Sequence, residues 1–142
     1  MRQPIDPWVF ILIPLVIMGL GLLIASSRRG SVGGTKIGSR QLDVHNPADP
    51  DAVFGRLKAL GGKYRIDDAN PQLRMLVFSS SPTFATWGFL YPVNVVAEGT
   101  GTRIEIGIAS RFIQFGPLVG SAHKQMVKAV EELLGVPVAR VA

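Results

Sequence analysis

The chain has no cysteine. That excludes a disulfide framework, cysteine-bearing zinc clusters and thiol catalysis, and it leaves the redox compartment open. Histidine is nearly as scarce. His45 and His123 are the only two, and neither has a carboxylate at triad or metal-ligand spacing, so a surface or capping role is expected for each. No internal repeat or long low-complexity tract occurs. Charge is sparse too, at 18% of 142 residues, a length that allows one modest domain. No basic nucleic-acid face is expected, because the net charge of +5 is concentrated in one place: residues 28–45 carry a net +3, through Arg28, Arg29, Lys36 and Arg40 against Asp43.

Trp8 to Ala25, WVFILIPLVIMGLGLLIA, carries no charged residue and is almost wholly apolar. Eighteen residues at 1.5 Å each give a helix of about 27 Å, the length expected of a single transmembrane anchor. A cleaved signal peptide fits less well, since the apolar run is long and Asp6 and a single Arg precede it. On this reading Trp8 is an interfacial aromatic, and Pro14 is tolerated as a kink within the bilayer. Gly21 and Ala25 form a small-residue pair for helix packing. Arg28, Arg29, Lys36 and Arg40 mark the cytoplasmic membrane interface and face anionic lipid headgroups. The expected location is the bacterial inner membrane, single-pass, with the N-terminus periplasmic and the C-terminal domain cytoplasmic.

Three regions follow: an anchor over 1–27, a basic Gly/Ser juxtamembrane linker over 28–40, and an α+β domain over 41–142. In the linker, GSVGGTK (30–36) has the glycines of a phosphate loop. It lacks the Gly-Lys-Ser/Thr order, and no helical pattern follows it, so a flexible tether is expected.

The domain opens on a short strand, RQLDVH. A helix then starts at the N-cap Asp49, with Pro50 at its first position and Val53, Leu57 and Leu60 on one face, and it stops at Gly61–Gly62. Tyr64–Asp67 and Leu73–Ser79 read as a hairpin. In Thr86–Ala97, Trp87, Phe89, Tyr91, Val93 and Val95 share a face, and EGTG turns into Arg103–Ser110. The last helix, from Ser121 to Gly135, turns Met126, Ala129, Val130 and Leu133 inward and Lys124, Lys128 and Glu131 outward. The order β-α-β-β-β-β-α predicts an antiparallel sheet with both helices on one face. The other face carries enough apolar side chains to need a cover.

HNPADPDAVFGRLKAL, followed by a meander and a long C-terminal helix, resembles a reduced helix-grip domain of the START or Bet v 1-like kind. That resemblance implies an apolar ligand, although the chain is short for a fold with more strands and a deep cavity. GFLYPVNVVAEGTGTRIEIGIASRFIQFG resembles a family of small uncharacterised bacterial domains. Ser110 and Arg111 match its Ser-Arg pair, whereas PLVGSAH departs from the Asp-x-Gly-x-Asn stretch that follows there. This second resemblance covers the last half of the domain and implies no activity.

No reaction is legible. Asp67 and Asp68 read as a solvated turn, and Ser79–Ser81 have neither a base nor an oxyanion hole in view. Arg111, Phe112 and Phe115 are candidates for partner or lipid contact, Arg111 through an acidic group. No catalytic residue, cofactor or metal is expected. The function expected is a non-catalytic accessory or scaffolding subunit of a bacterial inner-membrane complex, photosynthetic or respiratory, with integral membrane proteins as partners and no nucleic acid. The alternative is a membrane-tethered binding module for a lipid or other apolar ligand.

Overall fold

A computed structural model of the chain describes residues 5–27, 29–35, 37–38, 40–83, 87–110 and 116–135. Its elements run α1 (Val9–Ser27), β1 (Gln41–Asn46), α2 (Pro50–Leu57), β2 (Tyr64–Asn70), β3 (Met75–Ser80), β4 (Phe89–Glu98), β5 (Gly101–Gly107), β6 (Ala109–Ser110) and α3 (Gly116–Leu134). The sheet is antiparallel in the order β1-β5-β4-β3-β2, with β6 also paired to β4.

β6 continues β5 in one register. Val93 pairs with Ile106, and beyond the break Leu90 pairs with Ala109. The interruption lies where Pro92 comes opposite Gly107. Proline has no N–H to give the ladder, and a methyl group on Gly107 would sit 3.0 Å from the Pro92 ring.

The helices cover one face. Asp49 caps α2, its side chain accepting from the N–H groups of Asp51 and Ala52, and Pro50 opens the helix as expected. α2 ends at Leu57, a turn before the glycines. It contributes Val53, Phe54 and Leu57 to the core, and α3 contributes Met126, Val130 and Leu134. The sheet answers with alternate residues, Tyr91, Val93 and Val95 of β4 and Ile104 and Ile106 of β5. The Arg56 guanidinium donates to the Leu133 carbonyl at 3.0 Å, joining α2 to the open carbonyl end of α3.

One expectation is overturned. Among the described residues no helix is long and apolar enough to cross a membrane. The reason lies at both ends of α1. Trp8 sits in the turn before the helix, and the helix closes on Ser26 and Ser27. The apolar part between them is about 25 Å long at 1.5 Å per residue, the low end of what a span needs. The transmembrane anchor, the single-pass inner-membrane location and the periplasmic and cytoplasmic sides assigned from it are therefore withdrawn. The antiparallel sheet with its helices remains.

Candidate functional site

Two surfaces stand out, one on each side of the sheet. The inner one lies between the sheet and α3. It is filled by Ile104, Ile106, Met126 and Val130, none of which reaches solvent. His123, expected at the surface, is buried here. Its Nε2 lies 2.7 Å from the Ile106 carbonyl, which can only accept, so Nε2 carries the proton. Glu131, expected to face out, is also buried against the domain, and burial pushes its carboxyl pKa up. Tyr64 stands edge-on to Tyr91, with ring centroids 5.4 Å apart. The Tyr64 hydroxyl has no hydrogen-bond partner among the described residues, and burial raises its pKa.

The outer surface is built by the residues that lead from α1 to β1. Gly30 lies on the sheet so closely that a methyl group there would come within 2.4 Å of the Val77 side chain and 3.2 Å of Leu90. Its N–H donates to Asp67 Oδ2 at 2.7 Å, and the Val32 N–H donates to Asp68 Oδ2 at 2.8 Å. Between and beyond them the chain makes a turn, with the N–H groups of Gly34 and Thr35 both donating to the Ser31 carbonyl. Ile37 then packs beside Gly107. The segment thus crosses the outer face from β2, over β3 and β4, to β5, ahead of β1.

This corrects two expectations. The Gly/Ser stretch is a docked cover rather than a free tether, and it supplies the cover that the outer sheet face needs. Asp67 and Asp68 are not a solvated turn. The register of β2 against β3 shifts between Ile66 and Asp68, leaving Asp67 as the extra residue of a bulge. Strict alternation would send one of two successive aspartates inward; the bulge lets both reach the outer face. Asp67, its side chain wholly out of solvent, also accepts from Ser79 Oγ at 2.8 Å and Arg65 Nε at 2.9 Å. Burial alone would raise its pKa. The hydrogen bonds from Gly30, Ser79 and Arg65 and the Arg65 charge outweigh burial and hold it below the ordinary carboxylate range.

α1 leaves this surface as an apolar rod. Phe10 is 70% exposed and Ile17 65%, and Leu12, Val16, Leu20 and Leu23 are exposed as well. At its C-terminal end Gly21 meets the sheet domain, where a methyl group on it would lie 3.0 Å from two ring carbons of Trp87. Trp87, expected on the inner face of a strand, lies before β4 and turns to α1 instead.

Among the residues singled out in the sequence, Trp8 is exposed ahead of α1, and Arg29 and Arg40 are exposed at either end of the cover. With no span among the described residues, their membrane-interface role loses its basis. Gly21 packs on Trp87, and Ala25 lies in the last turns of α1. Arg28, Lys36, Arg111, Phe112 and Phe115 lie outside the described residues. The structure brings none of the described candidates together into one cluster, and no group of His, Asp and Glu side chains suited to a metal ion occurs among the described residues. The Asp67–Asp68 pair was missed because a bulge has no single-sequence signature.

No family model matches the chain, and no curated protein matches it. Solved structures do. Ara h 8.0201 is similar with a TM-score of 0.52 at 10% identity, over 70% of this chain and 95% of that one. DynU16, a putative protein of the dynemicin biosynthetic locus, is similar with a TM-score of 0.50 at 13% identity, over 67% of this chain and 45% of that one. TTHA0849 from Thermus thermophilus gives a TM-score of 0.46 at 15% identity, over 66% of this chain and 94% of that one. The likeness to Ara h 8.0201 is one of fold. The sheet gripping a long C-terminal helix is the Bet v 1-like arrangement.

Proposed function

We propose that this chain is a non-catalytic accessory subunit, joined to a larger assembly by burial of α1 in its partners. The observation that supports this is the exposure of α1. From Val9 to Ile24 it offers no charged or hydrogen-bonding side chain on any face. A helix lying on a surface would need a polar side, and this one has none. Fully burying one Leu, Ile or Phe is worth about 1.5–3 kcal/mol, while association costs roughly 4–15 kcal/mol. A single stripe of three or four contacts hardly covers that cost, so the partner encloses the helix. Integral membrane proteins, with apolar helices of their own, are the partner class that fits.

The test is extraction from the native cells in mild detergent, followed by native mass measurement. The wild-type chain is expected well above its own 15.3 kDa, with a fixed partner set. A variant carrying Ile17→Lys and Leu20→Lys is expected at the monomer mass with its domain still folded. A wild-type monomer without partners would refute the reading.

A second reading, a binding module for an apolar ligand, draws support from the Tyr64 hydroxyl inside the grip, which has no hydrogen-bond partner among the described residues. A lipid carboxylate or hydroxyl there would satisfy it. On this reading a fluorescent fatty acid binds to the wild type, and Tyr64→Phe weakens it by roughly tenfold, the worth of one buried hydrogen bond. The packed interior of Ile106 and Met126 weighs against it.

A further inference from the structure

The cover over the outer sheet face does more than fill space. Three independent features converge on it. Gly30 has no side chain where any other residue would meet Val77. Asp67 and Asp68 reach the same face only because β2 is bulged between Ile66 and Asp68. Each carboxylate takes one backbone N–H, two positions apart, from the same short segment. These are the amides that an anion-binding loop would use, and here the protein's own carboxylates hold them. The segment is also the only covalent path between α1 and the sheet domain, and α1 has its own contact at Gly21 and Trp87.

We propose that residues 29–35 are a carboxylate-locked strap that sets the position of α1 on the sheet domain, and that breaking the lock frees strap and helix together while the sheet stays folded. The strap is a release device: its state decides whether α1 is presented at a fixed place or swings on a loose tether. This holds whatever α1 binds.

Trypsin reports the state directly. Arg29 is exposed, but Gly30 is held by Val77 and Asp67 and Val32 by Asp68, which denies a protease the extended backbone it needs. The full chain and an Asp67→Ala/Asp68→Ala variant are digested under native conditions, and cleavage of the Arg29–Gly30 bond is followed by mass spectrometry. Cleavage after Arg103, within β5, reports opening of the sheet. The variant is expected to raise Arg29–Gly30 cleavage by roughly a hundredfold, the combined worth of two charge-assisted hydrogen bonds, with the Arg103 rate unchanged. Gly30→Val, which expels the strap sterically and leaves both carboxylates in place, is expected to do the same. Wild-type cleavage rates in both variants would overturn the proposal, as would acceleration at Arg29 that only keeps step with Arg103 in both.

Discussion

The Asp67 carboxylate accepts from the Gly30 N–H, the Ser79 hydroxyl and the Arg65 guanidinium, and its pKa is held below the ordinary range. Such a group stabilises the fold at pH above the unfolded carboxyl value, about 3.9, and its contribution is lost as pH falls through the lower folded value. Stability is therefore expected to drop on acidification below about pH 4, and Asp67→Asn is expected to flatten that drop. Urea midpoints measured across the acid range check this; the same profile in both proteins would count against it. His123 makes a second residue-scale case. Removing its Nε2–H leaves the Ile106 carbonyl buried without that donor, so His123→Ala is expected to cost about 1–3 kcal/mol by urea denaturation. Neither role was legible in the sequence. Two adjacent aspartates between polar residues look like a turn, because a bulge is a relation between two strands. A histidine at the start of an amphipathic pattern looks like a cap, because its acceptor lies seventeen residues back in the chain, on another element.

Elements were read best where the signal is local. Asp49–Pro50 marked the start of α2, and positive-φ Gly135 follows the end of α3. The alternation of Phe89, Tyr91, Val93 and Val95 marked the buried face of β4. Elements whose bounds depend on neighbours were read less well. α3 begins at Gly116, a turn before the expected Ser121, and β5 is cut from β6 by Pro92 of the adjacent strand. α1 shows the same limit. Its apolar run fits a bilayer on length alone, whereas the folded helix starts after Trp8, ends on serines and seats Gly21 against Trp87. A larger side chain at position 21 must push the indole away. Gly21→Leu is expected to shift the Trp87 emission in a Trp8→Phe background without changing the melting of the sheet domain. Unchanged emission would place the Trp87 ring away from α1.

At the scale of the whole molecule, the chain has a helix-grip fold similar to that of Ara h 8.0201, and its two faces are closed differently. α2 and α3 close the inner face with core residues. The outer face is closed by the chain's own strap, held by carboxylates and a glycine rather than by apolar side chains alone. That leaves α1 as the large apolar surface still to be covered among the described residues. The sequence pointed to an antiparallel sheet with helices and to an apolar N-terminal segment; the strap and the direction of Trp87 depend on contacts between distant parts of the chain.

The central claim, that α1 is enclosed by a partner, is tested most directly in living cells. A photo-crosslinking amino acid is placed at Ile17 on α1 and, as a control, at Lys124 on the exposed side of α3. The account expects one discrete crosslinked species from Ile17, lost when Leu20→Lys is added, and none from Lys124. Absence of any product at Ile17, or equal products at both positions, would contradict it.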